Sequence, residues 1–476
     1  MKCVQVNSRI SDTTIRTSGE GLGKLDQVAP MTTTIESWHA RIEQSPDDID
    51  LRLVFADWLL ERGDSLGEFI QLECRLLQDP GHPEASRWRE LADQLRKEHI
   101  KPWWGRRREC VVRGGMVEEA IGGRVVILDR LLRVAPALRR LKVSSFGSTT
   151  AENLKAIGAH PIWRRIRRAD ASFDEILPIL AALEVDNLPR LERLHAAHLR
   201  ASSAKELFVS LERHAPRLAQ LEIPELREAP LIAMLGAWEK SLVLLDLYGN
   251  HLDQNIIRAL ASGRLLRGIR ELMLGETGIG PEGLAALATC PHLATLERLD
   301  LRRTGLTSEA TNVAEALAAL VAAAPRLISL ELMEARLGAK DLTALTAPDP
   351  LPDLRELSLQ GCAIGDAGLA QLLASACAGR LSALNLRDNK LSDAAAGLLA
   401  RSPGLAGLRL LNLEGNPLTK EGLEALRGSP SLAKATITVG DPGGGMPEPH
   451  NEKDGVWLGS TTYLEESVLD GPAPAS

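Results

Sequence analysis

Two hydrophobic rhythms are superposed in the C-terminal half of this sequence. Short runs alternate apolar and polar residues: LRELSLQGCAI from Leu354, LSALNLRDNKL from Leu381 and LRLLNLEGNPL from Leu408, each 27 residues after the one before. The alternation predicts a short strand with Leu357 and Leu359 on one face and Glu356, Ser358 and Gln360 on the other. Gly368, Leu369 and Leu372, and later Gly422, Leu423 and Leu426, then follow helical spacing, so each strand is followed by an amphipathic helix folding back onto it. One such unit cannot bury its apolar face alone. Stability must come from stacking neighbours, and a fixed period of this length marks a repeat architecture.

The shared pattern, L-x-x-L-x-L-x-x-(N/C)-x-L, resembles leucine-rich repeats of the long, ribonuclease-inhibitor-like type. The resemblance implies an α/β solenoid, a horseshoe with parallel strands inside and helices outside. Four further clean copies begin at Leu242, Ile269, Leu296 and Leu327, with one step stretched to 31 residues. Those four extra residues amount to about one helical turn, which lengthens the outer helix without disturbing strand register. Degenerate copies are predicted at Met116 to Ile121, at Leu138, Trp163, Leu191 and Leu218, and a last incomplete strand in LAKATITV. At Trp163 the pattern departs from the family, because Arg168 stands where the sixth-position leucine belongs. The ninth positions are Asn250, Thr277, Thr304, Ala335, Cys362, Asn389 and Asn416. Small polar side chains there can donate to backbone that lacks a ladder partner. Ala335 cannot, so its turn is expected to be the looser one.

Ahead of the repeats, Leu51, Val54, Phe55, Trp58 and Leu59 form an apolar helical stripe. Gly63 supplies a stop, and Asp64 or Ser65 a cap for a second helix burying Phe69, Ile70, Leu72, Leu76 and Leu77. A third helix, Ala85 to Ile100, carries Trp88, Leu91 and Leu95. The run RLVFADWLLERGDSLGEFI, from Arg52 to Ile70, resembles a repeat-companion module that precedes repeats in many bacterial proteins. That family implies no chemistry. Asp57 and Glu68 are read as hydrogen-bonding groups at a helix end and in a loop, not as a catalytic pair. The expected division is a disordered extension (1–30), a helical module (31–104), the solenoid (105–439, regular from 242) and an acidic tail (440–476). Met31 is a candidate for the true start.

Composition narrows the class further. Aromatic residues make up only 3% of the 476, so leucine and alanine must carry the core, which suits thin stacked layers. The six cysteines show no C-x-x-C spacing and are expected as reduced thiols, with Cys362 in a structural ninth position. No apolar run approaches the roughly 20 residues that would span a bilayer, and the first residues lack the apolar core of a secretory signal. A cytoplasmic protein is expected. No phosphate-binding loop, nucleophile elbow or zinc-protease motif occurs. His195 and His198, at i and i+3, lack a third ligand. An enzyme, a cofactor and a metal site are therefore not expected.

Residues 101–170 hold 16 Lys and Arg against 6 Asp and Glu. Trp103 and Trp104 precede Arg106, Arg107 and Arg108, and Trp163 precedes Arg164, Arg165, Arg167 and Arg168. Basic residues interleaved with aromatics can hold nucleic acid through phosphate contacts and stacking. No nucleic-acid-binding motif accompanies them, so the preferred reading is that the tryptophans seal the junction before the repeats. The tail is acidic from Gly440, with Val456, Trp457, Leu458, Tyr463, Leu464, Val468 and Leu469 as apolar candidates for an end cap, a docking motif or plain disorder.

Function then falls to the polar face of the strands. Its third, fifth and seventh positions offer Asp246, Tyr248, Glu271, Met273, Arg298, Asp300, Arg302, Glu331, Met333, Glu356, Gln360 and Arg387, with Arg140, Lys142, Arg165, Arg167, Arg193 and His195 before them. A face basic at one end and acidic at the other can orient a dipolar partner. Tyr248, Met273, Arg302 and Met333 are the anchor candidates. The reading is a non-catalytic scaffold for a partner protein. Regulation of an enzyme, as by a GTPase-activating repeat protein, is the second reading, and nucleic-acid binding through 101–170 the third.

Overall fold

The computed structural model describes residues 34–99, 110–122, 124–143, 151–172, 188–197, 209–224, 238, 240–306, 312–346 and 350–439. The expectations for residues 1–33, for Trp103 to Arg108, for His198 and for the tail lie outside these residues.

Four helices open the described chain: α1 (Ile35–Gln44), α2 (Ile49–Leu60), α3 (Leu66–Gln78) and α4 (Ala85–His99). The side chain of Asp48 accepts from Leu51 N at 2.8 Å, which starts α2. The backbone after α2 passes through Gly63 at φ +75°, a conformation glycine adopts without steric penalty. Gly67 lets α3 approach α2 closely, since a Cβ there would lie 2.4 Å from Ala56 O. One expectation for α2 fails. Val54 is 53% exposed while Arg52 is 2% exposed, because the helix turns Arg52, Phe55 and Leu59 inward and leaves Val54 on the outer side.

All fourteen described strands form one open sheet in chain order. β1 (Cys110–Arg113) and β2 (Met116–Ile121) make an antiparallel hairpin through Gly114 and Gly115, both at positive φ. From β2 onward every pairing is parallel. The regular run is β7 (Leu244–Asp246), β8 (Glu271–Met273), β9 (Arg298–Asp300), β10 (Ser329–Glu331), β11 (Glu356–Ser358), β12 (Ala383–Asn385), β13 (Leu410–Asn412) and β14 (Thr436–Thr438). Parallel strands need a crossover, and helices supply it on one side of the sheet. The result is an α/β leucine-rich-repeat solenoid preceded by a small helical module. Fourth-position leucines pair across neighbouring strands, Leu330 with Leu357, Leu384 and Leu411 in turn, and all are buried. The helix within the stretched step, Val313–Ala323, has 11 residues against 9 in the helix of the step before, Gly280–Ala288.

The early strands are β3 (Arg140–Val143), β4 (Arg168–Ser172), β5 (Arg193–Ala197) and β6 (Gln220–Glu222). At β4 the expected register is wrong by three residues. Arg168 pairs with Arg140 and Asp170 with Lys142, so the unit begins at Ile166 and its fourth position is Ala169. Trp163 instead lies in a 3-10 turn, buried, its indole N–H donating to Ile157 O at 2.8 Å. A buried residue three places before the first leucine recurs as Leu293, Leu351, Ala378 and Leu405. Trp163 fills that slot.

Ninth-position side chains do what their chemistry allows. Asn389 Nδ2 donates to Leu359 O at 2.7 Å, Asn416 Nδ2 to Leu386 O at 2.9 Å, and Cys362 Sγ to Leu332 O at 3.1 Å. Thr277 and Thr304 bond within their own turns, to Leu274 O and Leu301 O at 2.6 and 2.7 Å. No disulfide joins the five described cysteines.

Candidate functional site

Parallel pairing in register turns equivalent positions into columns, with neighbours about 4.8 Å apart across the sheet. The fifth-position column runs Lys142, Asp170, His195, Glu222, Asp246, Met273, Asp300, Glu331, Ser358, Asn385 and Asn412. Carboxylates therefore stand side by side at Glu222 and Asp246 and again at Asp300 and Glu331. In the third-position column Arg140, Arg168 and Arg193 are consecutive, followed further on by Glu271, Arg298 and Glu356.

Three of the acidic side chains are fixed by their own strand. Asp246 Oδ1 accepts from Tyr248 N at 2.8 Å, Asp300 Oδ1 from Arg302 N at 3.0 Å and Glu331 Oε1 from Met333 N at 3.1 Å. A carboxylate bonded to the amide two residues on is held in one rotamer along the strand. Burial pushes the Asp246 carboxyl up to about 6; the amide bond from Tyr248 opposes this, and the charges of Glu222 and Asp300 add to it. Burial also raises Glu271 and Glu331. Glu222 goes the other way. Burial works against its charge, but His195 Nδ1 at 3.0 Å and the Arg193 guanidinium outweigh that and hold it below the usual range.

The seventh-position column passes through Tyr248, Gly275 and Arg302. Gly275 permits a close approach here: a Cβ on it would meet Arg302 Cγ at 2.8 Å and Tyr248 Cδ2 at 2.9 Å. Across that gap the Arg302 guanidinium lies 5.9 Å from the centroid of the Tyr248 ring, within range of a cation–π contact. The same guanidinium pairs with Asp300 Oδ2 at 2.7 Å. Burial and the Glu276 carboxylate, which hydrogen bonds to the phenol, push the Tyr248 hydroxyl up to about 12.

Just outside, the eighth position is left-handed in every regular repeat, with φ between +51° at Arg303 and +68° at Gly249 and Gly415. Glycine fills it at 249, 361 and 415, but Glu276, Arg303, Glu334 and Asp388 hold it elsewhere. Arg303 bridges Glu276 at 3.0 Å and Glu334 at 2.7 Å. These pairs are half in solvent, so each contributes little to stability. Their consequence is a charged rim beside Tyr248. Met273 and Met333 are half-buried on the face, Gln360 Oε1 accepts from Asn385 Nδ2 at 3.2 Å, and Arg387 pairs with Glu414 at 2.6 Å.

Two of the expected basic residues do not belong to this face in the expected way. Arg165 pairs through Nε with Glu43 on α1 at 2.9 Å and donates to Leu132 O at 2.8 Å, bracing the helical module against the sheet. Arg167 precedes β4. Their strand places are taken by Arg168 and Asp170. The basic end is thus partly neutralised from within, since Arg140 Nε pairs with Asp170 at 2.8 Å and Arg193 with Glu222. Trp163, buried and already bonded, cannot stack on a base. Glu222 and Asp170 are the contributors that the sequence reading passed over. The first was legible as the fifth residue of LAQLEI, and the second only once the register of β4 was known. Among the described residues no group of three or more His, Cys, Asp or Glu side chains is placed to hold a metal ion. No helix among them is long and apolar enough to cross a membrane.

Residues 351–373 and 408–426 match the leucine-rich repeat family model. No curated protein matches the chain. Among solved structures, the chain is similar to one in the Rad7 and Elc1 complex in yeast, at 15% identity and a TM-score of 0.40, covering 85% of this chain and 98% of that one. A protein from Bacteroides fragilis is similar at 13% identity and a TM-score of 0.22, covering 76% and 84%.

Proposed function

We propose that this chain is a non-catalytic cytoplasmic scaffold that holds a partner protein on the strand face of its repeats. The observation that supports this reading is the two-signed face. On β3 to β5, Arg140, Lys142, Arg168 and Arg193 outnumber Asp170. On β6 to β11, Glu222, Asp246, Glu271, Asp300, Glu331 and Glu356 outnumber Arg298 and Arg302. Such a face attracts a partner of opposite polarity and sets its direction along the solenoid before contact is made. Tyr248 and Arg302, rigidly held over Gly275, would then act as the central anchor, as Tyr and Arg commonly do at interfaces. Met273 and Met333 flank them, with Gln360 and Arg387 further along.

The test is capture from native cytosol with the wild type and with a Tyr248→Ala, Arg302→Ala, Glu331→Ala triple variant. Proteins retained by the first and lost by the second are expected, with retention falling as salt is raised. Recovery of the same proteins by both would remove the strand face as the binding surface.

A further inference from the structure

Three arginines stand in a row near the start of the parallel sheet. Arg140, Arg168 and Arg193 pair in register as the third positions of β3, β4 and β5, on the face opposite the buried Leu141, Ala169 and Leu194. All three are half-buried. Because neighbouring strands lie about 4.8 Å apart, the three side chains rise at about 0, 4.8 and 9.6 Å along the solenoid. The row is bounded on both sides. Glu119 precedes it on β2, and the column turns uncharged at Gln220 and Leu244 on β6 and β7. The outer two arginines are tied to the adjoining column, Arg140 Nε to Asp170 at 2.8 Å and Arg193 to Glu222. At Arg168, burial and the charges of Arg193, Arg139 and Arg140 outweigh Glu119 and push the guanidinium below the usual arginine range. An added carboxylate at this point relieves that repulsion.

We propose that this basic window receives an acidic α-helix of the partner protein, lying along the solenoid with carboxylates at i, i+3 and i+7 over Arg140, Arg168 and Arg193. The inference rests on the strand face being the binding surface. Residues so spaced share one side of a helix and stand about 4.5 and 10.5 Å along its axis from the first, within about 1 Å of the arginine spacing. An extended segment presents same-side residues about 6.8 Å apart, so its third carboxylate, at about 13.6 Å, overshoots Arg193. A nucleic-acid strand fits less well, because its unbroken row of phosphates would run against Asp170 and Glu222 in the fifth-position column. Leu244, half-buried two strands past Arg193, then offers the helix an apolar contact.

Fluorescence anisotropy at low salt tests this with three labelled probes: an alanine- and glutamine-based helical peptide with Glu at i, i+3 and i+7, a peptide of the same composition with Glu at i, i+2 and i+4, and oligothymidine. The first probe is expected to bind wild type at least about tenfold more tightly than either of the others, and Arg168→Gln to weaken it at least about tenfold. Circular dichroism should show the first probe more helical when bound. Comparing probes uses wild type alone, so the test stands even if Arg168→Gln fails to fold. Equal or tighter binding of the second probe or of oligothymidine overturns the proposal. So does the lack of saturable binding by any probe, or unchanged binding to a folded Arg168→Gln variant. These failures are separate from failure of the strand face itself: capture from cytosol that is lost in the Tyr248, Arg302, Glu331 variant keeps that face as the binding surface even where the helix is refuted.

Discussion

Arg52 on α2 and Glu118 on β2 form an ion pair, Nη2 to Oε1 at 2.6 Å, with side chains only 2% and 5% exposed. The pair stands at the seam between helical module and sheet. It is satisfied on all sides: Arg52 Nη1 donates to Arg113 O at 2.7 Å and Nε to Pro46 O at 2.9 Å, while Glu118 Oε2 pairs with Arg139 at 2.6 Å. Arg139 reaches on to Asp47, and Arg190 Nη1 to Glu43 O at 2.9 Å. A buried charge with its partner removed is costly.

Arg52→Met should therefore destabilise the protein by about 3 kcal/mol, and Glu118→Gln by a similar amount, because its amide oxygen still accepts from one guanidinium but its NH2, itself a donor, faces the other. Urea unfolding with fluorescence detection measures both. Equal losses below about 0.5 kcal/mol would mean that the seam is held by apolar contacts alone.

Gly275→Ala should cost about 1–3 kcal/mol, although glycine to alanine at a position without positive φ ordinarily stabilises. The new methyl group would push the Tyr248 ring and the Arg302 stem apart. A stability equal to or above wild type in thermal unfolding would show that the two side chains yield freely.

Asn389→Ala should cost about 1–3 kcal/mol, since it removes one of the two donors to Leu359 O and takes away the acceptor of the buried Ile364 N–H. Cys362→Ala should cost less, because a thiol is a weak donor. The reverse order in denaturant midpoints would refute the bonding role of the ninth position.

The Asp246 carboxyl, pushed up to about 6 by burial, makes stability fall as pH rises. Below the unfolded value near 3.9 both states hold the proton and there is no effect. Between about 4 and 6 the unfolded chain ionises first, and above 6 the folded chain carries a buried charge costing up to about 3 kcal/mol. Asp246→Asn keeps the bond from Tyr248 N and should gain about 1–2 kcal/mol at pH 7.5 but nothing at pH 3.5. A gain independent of pH would show that charge is not the cause. A carboxylate kept at such a cost is consistent with a role in binding.

The sequence by itself determined the repeat, the strand positions from Leu242 onward and the ninth-position bonds. Those follow from short-range alternation and from one spacing, both written in consecutive residues. Tertiary structure alone decided the inward turn of Arg52, the start of β4 at Arg168, the pairing of Arg193 with Glu222 and the closure of Tyr248 and Arg302 over Gly275. Each depends on side-chain directions across elements that lie 27 or more residues apart in the chain. Leucine spacing fixes which backbone faces inward. Which charges meet on the outer face is settled only when the strands lie side by side.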